Sequence, residues 1–317
     1  MISILGMRLA ALALALASSA CLVRSKPPDT TVETTFPAAA AASVRSLPRA
    51  LRVVTFNVHR ETPKNVIRGI DSEPKLREAD IILLEEVHRI EPVTTPCSAA
   101  CMLGKHLGYY TLYAPGHMQG DGSDGVAILS RAPILSSEVI ELPDIKTHVN
   151  DGRRIALAAT VLIDGTPVTV YAVHLTNRLT VAERKEQMVP VLEHAARQKT
   201  PVLIGGDFNT SPFTWIGGVI PVPIGTQDDH LESLVRRYGL DTPVADIPAT
   251  SRFLAMKLDA IYTRGFTTRH FATSDARSVS DHLALWAEVS LPALAGSSQG
   301  ESWPRSICSV ISSAPGA

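Results

Sequence analysis

Between residues 51 and 292 the chain alternates short aliphatic and β-branched runs with stretches of helical period. The runs Leu51–Val58, Asp80–Val87, Gly125–Ser130, Arg154–Ile163, Pro167–Leu175, Pro201–Gly206, Leu258–Thr263 and Leu283–Val289 have the length and β-branched content of strands. Thr180–Gln198 places Val181, Met188, Val191, Leu192 and Ala195 on one side, which predicts an amphipathic helix. Asp228–Tyr238 predicts a second, shorter one. Strands in this number with helices between them predict two sheets covered by helices in one α/β domain.

The ends break this pattern. Residues 1–20 read as a signal peptide: Arg8 follows a short n-region, Leu9–Ala17 is apolar, and Ser18-Ser19-Ala20 offers small residues for cleavage. The apolar run is shorter than the roughly 20 residues a membrane helix needs. Cys21 stands where a bacterial lipoprotein carries its lipidated cysteine, although Ser18 replaces the usual Leu three residues earlier. Plain cleavage and lipidation both stay open, so the expected location is periplasmic, extracellular or lipid-anchored to the envelope. Residues 21–50, rich in Pro, Thr, Ser and Ala, read as a flexible linker, and residues 293–317 as a disordered tail.

Charge narrows the partners. The 317 residues carry a formal net charge of −1. From Leu51 to Pro292 there are 24 lysines and arginines against 28 aspartates and glutamates, a net charge of −4. That is no basic nucleic-acid footprint, though local contacts and a metal would still serve a nuclease. Cys97 and Cys101 suit a disulfide in an oxidising compartment if their segment is irregular, or two separate small buried residues if it is a regular helix. No Cys/His grouping has zinc spacing.

Polar residues of a few kinds recur at the strand ends. Asn57, Glu86 and His174 each end a strand, Asp207 and Asn209 follow another, Asp259 opens one, and Asp281-His282 precedes one. Singly, each has an ordinary explanation as a turn former, a solvated carboxylate or a packed histidine. Together they make a metal and acid–base set. The oxygen ligands favour Mg2+ or Mn2+, and the histidines suit proton transfer and phosphate contact.

The pieces Thr55-Phe56-Asn57-Val58, Leu84-Glu85-Glu86-Val87, Gly125-Val126-Ala127-Ile128-Leu129-Ser130-Arg131, Val173-His174-Leu175, Gly205-Gly206-Asp207-Phe208-Asn209, Leu258-Asp259-Ala260-Ile261-Tyr262 and Ser280-Asp281-His282 fall in one order. In that order the chain resembles the endonuclease/exonuclease/phosphatase superfamily, which includes DNase I, exonuclease III-like repair nucleases, neutral sphingomyelinases and inositol-phosphate phosphatases. The resemblance implies a catalytic domain over 51–292 with a DNase I-like fold, a four-layer α/β sandwich of two packed β-sheets flanked by helices. It implies that Glu86 is the principal metal ligand, with Asn57 and Asp281 completing the site directly or through water. Asp207 would orient or deprotonate the attacking water, and Asn209 would hold water or a phosphate oxygen. His282 would contact the scissile phosphate, paired with Asp259, and His174 would protonate the leaving oxygen. Repair nucleases of the exonuclease III type usually carry Tyr at that last position.

Other residues have weaker readings. Arg154, with Arg153 beside it, is a candidate phosphate contact or a solvated strand edge, and Arg184 and Gln187 read as structural. Glu85 stands where Gln is frequent in the family and is expected to face solvent or make a supporting hydrogen bond. Gly120–Gly125 does not complete an EF-hand and reads as a hairpin loop near the active-site rim, from which His117 would face substrate. Trp215–Ile224 is apolar and broken by Gly and Pro, which suits a surface contact, a lid or a buried loop. The function expected is exported, metal-dependent hydrolysis of a phosphodiester in nucleic acid or a phospholipid headgroup, with peripheral membrane contact in the second case and no protein partner indicated. A phosphate monoesterase and a non-catalytic binding module on the same fold are the alternatives.

Overall fold

Strand alternation decides the layers. Along β3 (Ala50–Asn57), Val53 packs in the core between two sheets, while Val54 and Phe56 join the core beneath the outer helices. In this computed structural model the described residues are 23–24, 26–27, 29–37, 45–90, 97–147, 151–225, 227–276 and 279–293. The seven-stranded sheet runs β15 (Thr267–Ser274), β16 (Ala284–Ser290), β3, β4 (Ile81–Ile90), β6 (Gly122–Ser130), β5 (Tyr110–Gln119) and β2 (Glu33–Thr35). The five-stranded sheet runs β14 (Asp259–Arg264), β11 (Val202–Asp207), β10 (Thr166–His174), β9 (Ile155–Ile163) and β7 (Ile134–Glu141).

The two sheets face each other through Val53, Ile81, Leu83, Ile128, Leu157, Val170 and Leu203, all essentially without solvent contact. They approach so closely that a Cβ on Gly205 would lie 2.5 Å from Leu83 Cδ1, so any larger residue there would force Leu83 to shift. Truncating one of these buried leucines to Ala typically costs about 2–5 kcal/mol. The outer face of the first sheet is covered by α1 (Pro63–Ser72), α2 (Pro74–Arg77) and α3 (Ala99–Leu107), with Val66, Ile70, Leu76 and Leu103 buried. That of the second is covered by α4 (Val181–Arg197) and α5 (Asp228–Arg237). The result is the four-layer α/β sandwich of the DNase I-like fold.

Helix boundaries follow local chemistry. Thr180 and Glu183 form a reciprocal capping box at the start of α4, and Pro63 occupies the first turn of α1 behind the Thr62 cap. Elements that the pattern does not predict include helices α1, α2 and α3, the polar edge strands β7 and β15, and β5, whose register breaks at a bulge between Pro115 and His117.

Part of the expected linker is built into the fold. Glu33–Thr35 pairs antiparallel with Thr111–Tyr113, which covers the open edge of β5. The Glu33 carboxylate accepts hydrogen bonds from Ser98 N (3.0 Å) and Ser98 Oγ (2.9 Å) at the start of α3, and Leu47 is buried beside Ile163. Composition missed this because a single buried carboxylate and one Leu hold the segment. Cys97 and Cys101 form a disulfide with Cα atoms 5.1 Å apart. Cys97 precedes the Ser98 cap, so the bridge avoids the poor geometry of two positions inside a regular helix. The leader 1–20, Cys21, Cys308 and the expected tail beyond Ala293 lie outside the described residues. Among the described residues no helix is long and apolar enough to cross a membrane.

Candidate active site

All eight strand-end residues meet at one end of the sandwich. In the five-stranded sheet, parallel register sets His174 beside Asp207, and antiparallel register sets Asp207 beside Asp259. In the seven-stranded sheet, Asn57 lies beside Glu85 at the end of the β3–β4 pair. Two adjacent residues of a strand normally face opposite sides. A bulge between Leu84 and Val87, with Glu86 at φ 51°, breaks that rule and lets Glu86 reach Asn57 while Glu85 stays buried.

Backbone strain marks the same end. Of the non-glycine described residues with positive φ, all but Asp164 sit around these strand ends: Glu86 at the bulge of β4, and His59, Arg60, Arg178, Asn209, Leu254 and Ala255 on loops. Such conformations cost of order 1 kcal/mol or more each and persist only where the surroundings impose them.

The inner part of the site is a buried hydrogen-bonded group. His282 Nδ1 lies 2.8 Å from Asp259 Oδ2, and His282 Nε2 lies 3.8 Å from Asp207 Oδ2. Asp207 accepts from Asn57 Nδ2 (2.9 Å), Asn209 N (2.9 Å) and Asn209 Nδ2 (3.3 Å). Burial pushes the Asp207 carboxyl up to about 7, with the nearby Asp259 adding to the rise and His282 offsetting part of it. Burial also opposes a charged His282, but Asp259 and Asp207 outweigh it and hold the imidazolium well above the ordinary histidine value. Beneath them Glu85 is fully buried and accepts from Thr55 Oγ1 at 2.9 Å. Burial first, then the Asp259 charge, raises its carboxyl well above the ordinary value. Of the two expectations for Glu85, the hydrogen bond holds and solvent exposure does not.

The outer part is more open and richer in ion pairs. His59 Nδ1 lies 3.3 Å from Asp281 Oδ1, and Arg60 Nη1 lies 2.9 Å from Glu86 Oε2. The His59 hydrogen bond, joined by the charges of His282 and His59, keeps the half-exposed Asp281 carboxyl far below the usual range. Burial opposes ionisation of Glu86, but Arg60 and His59 prevail and lower it. Neither His59 nor Arg60 stands out in the sequence. Their only signal is their place directly after Asn57, and it is the left-handed turn at both residues that swings them over the carboxylates.

The structure tests which residues suit a divalent cation. Asp207, Asp259 and His282 bring ligand-type atoms within 4.8 Å of one another. His282 Nδ1 and Asp259 are already paired, however, which is an acid–base geometry. Glu86, not committed to a histidine, fits a hard cation better: its buried Oε2 touches Arg60 but accepts no hydrogen bond, as is also true of Asp259 Oδ1 in the inner group. Asn57 donates to both Glu86 Oε1 (3.2 Å) and Asp207, so it orients the two carboxylates.

Two expectations need correction. Arg154 is not a solvated strand edge: it is buried, and its Nη1 lies 3.1 Å from His174 Nδ1, so it touches the site through His174. Because a guanidinium only donates, His174 Nδ1 is the acceptor, which leaves Nε2 facing Asp207 Oδ2 at 3.6 Å. His117 is buried in β5 beside Asp124 and does not face the cleft from a loop. The bulge beside Pro115 turned His117 inward, and Arg154 is drawn in by its bond to His174 at the start of β9. Arg184 and Gln187 are structural as expected: Arg184 donates to Phe208 O (2.6 Å) and Thr176 O (3.1 Å), and Gln187 accepts from Thr176 N (2.7 Å). They fix the loops that follow His174 and Asp207. Trp215–Ile224 is not a buried loop. It forms the hairpin β12 (Phe213–Ile216) and β13 (Ile220–Pro223), with Ile216, Val219, Ile220 and Ile224 exposed.

Residues 54–282 match the model of the Endonuclease/Exonuclease/phosphatase family. Comparison with curated proteins gives no match. Among solved structures, an endonuclease/exonuclease/phosphatase from Beutenbergia cavernae is 23% identical, with a TM-score of 0.62 over 77% of this chain and 72% of its own. A mannosyl-6-phosphatase from Bacteroides thetaiotaomicron is 16% identical, with a TM-score of 0.56 over 75% and 99%. A 3' phosphatase from Neisseria, bound to a product DNA hairpin, is 17% identical, with a TM-score of 0.53 over 75% and 98%. At these identities the structural likeness is one of fold.

Proposed function

The chain belongs to the Endonuclease/Exonuclease/phosphatase family, and on that premise we propose that it is an exported, divalent-metal-dependent phosphodiesterase. The observation that carries this reading is the division of the site into a buried Asp207–His282–Asp259 group and an outer carboxylate, Glu86, with an unsatisfied oxygen.

Glu86, aided by Asp281, would hold Mg2+ or Mn2+, and Asn57 would orient Glu86. The cation, when bound, shields the phosphate charge and stabilises the charge that develops on its oxygens. Asp207 takes the proton of the attacking water, for which a carboxyl near neutrality is suited. Asn209 holds Asp207 in place through its N–H and amide. The His282 imidazolium, kept charged by Asp259, sits against the phosphoryl oxygens. As the new O–P bond forms and the ester P–O bond breaks, neutral His174 donates an Nε2–H hydrogen bond to the leaving oxygen, which takes its proton from solvent.

Between the two diester classes, the exposed hairpin Phe213–Pro223 favours a phospholipid headgroup over nucleic acid, and the net charge of −4 over residues 51–292 points the same way. The leader at residues 1–20 and Cys21 support export and attachment to the envelope. The test is hydrolysis of plasmid DNA, sphingomyelin vesicles and a soluble phosphate monoester, each with Mg2+, Mn2+ or chelator. Chelator-sensitive cleavage of sphingomyelin is expected. Metal-dependent cleavage of the monoester alone would replace the reading with a phosphatase, and no turnover by folded protein would favour a binding module.

A further inference from the structure

A second apolar element stands at the mouth of the site, and it is wired to the catalytic strand end. The loop Thr250–Met256 exposes Phe253 (40%) and Leu254 (49%) at its tip. Leu254 and Ala255 both adopt left-handed backbone conformations, at φ 55° and 49°. Two such residues in a row are unfavourable for side chains with a Cβ, so the surrounding structure imposes the turn that turns these apolar groups outward.

What imposes it is the catalytic segment. Arg252 N donates to Asp281 O (2.9 Å), Ser251 bridges His282, and Leu283 N donates to Thr250 O (2.6 Å). On the other side Thr250 Oγ1 accepts from the N–H groups of Leu258 and Asp259, each at 2.9 Å. Arg252 adds side-chain bonds to Ser280 O and Asp275. The base of the loop therefore holds Asp259, Asp281 and His282 by main-chain bonds, while its tip projects apolar side chains to solvent.

Six of the ten exposed large hydrophobic residues among those described lie on this loop or on the hairpin segment up to Ile224. Both elements open from the strand ends that carry Asp207 and Asp259. A partner that meets this rim must be apolar and must also present a phosphoester to the site that both elements adjoin. A phospholipid layer does both. The net charge of −4 over residues 51–292 favours a zwitterionic layer. The entry of the chain agrees: Val23 pairs with Asp151, next to Arg153 and Arg154 at the same end.

Resting on the phosphodiesterase reading above, we propose that Thr250–Met256 is an interface-sensing loop: insertion of Phe253 and Leu254 into a zwitterionic phospholipid layer fixes the Asp281–His282 segment and raises turnover. The hairpin binds the same layer without this coupling, because none of its hydrogen bonds reaches the Ser280–His282 segment.

The test uses the full chain with Mg2+ or Mn2+ and a water-soluble phosphodiester, bis-p-nitrophenyl phosphate, with and without phosphatidylcholine vesicles. Vesicle binding is followed in parallel by co-sedimentation. Vesicles are expected to raise wild-type turnover about tenfold. I216D/I220D is expected to bind vesicles about tenfold more weakly yet reach the full stimulation at saturating lipid. F253D/L254D is expected to show little stimulation even at saturating lipid. Equal stimulation of the two variants at saturation would overturn the coupling. Wild-type turnover that ignores vesicles would overturn the inference and leave the phosphodiesterase reading standing. Self-association at the rim in place of vesicle binding would assign the surface to a second copy and overturn it too. No turnover under any condition would remove the catalytic reading and this inference with it.

Discussion

Asp207 and Asp281 sit in one cleft, yet their carboxyls are displaced in opposite directions. Asp207 is fully buried among Asp259, Asn57 and Asn209, and burial raises it. Asp281 is half-exposed beside His59, and that hydrogen bond lowers it. The difference teaches how one fold separates two tasks. Proton transfer needs a carboxylate near neutrality in a dry setting, and cation binding needs carboxylates that stay ionised where an ion can enter. On the proposed function, the inner group would supply the first and the outer group the second.

The sharpest way to break this division is at the inner group. Asp207→Asn or His282→Ala is expected to lower turnover about a thousandfold at saturating metal, with the metal concentration for half-activity little changed. A large rise in that metal requirement would place these residues among the ligands and erase the distinction. At the outer group the pattern should invert. Glu86→Gln is expected to weaken metal binding about tenfold or more, read by calorimetric titration of folded protein. Unchanged affinity would move the cation to the Asp207–Asp259–His282 cluster.

The smallest effect sharpens the account of burial. Glu85 has a carboxyl raised in the folded state, so its contribution to stability is greatest below its unfolded value and declines as pH rises from there toward the folded value. Glu85→Gln keeps the shape and the Thr55 hydrogen bond but removes the titration. The variant is expected to melt about 2–4 °C higher than wild type at pH 8 and nearly equal to it at pH 4. A variant that melts lower at pH 8 would show that the charged form is the stabilising one.

Much of this was legible in the sequence. The β-branched run Val53-Val54-Thr55-Phe56 predicts a strand, and β3 is one. Thr180 and Glu183 announce the start of α4. Six of the seven short motifs carry eight polar residues, and the fold brings all eight to one end. Such signals are local: they depend on residue type, on a period of two or 3.6, and on order along the chain.

Tertiary structure alone decided the rest. No period in Leu84-Glu85-Glu86-Val87 reveals which glutamate meets Asn57, because a bulge set by pairing with β6 makes that choice. His59 and Arg60 become part of the site through left-handed turns, and Arg154 becomes the partner of His174 through the packing of β9 on β10. Glu33 looks like linker until Ser98, 65 positions away, offers it two hydrogen bonds. The same residue type thus serves as a buried acid, an open ligand or a clasp, since a carboxyl takes its protonation and its partners from the water, charges and donors that only folding places around it.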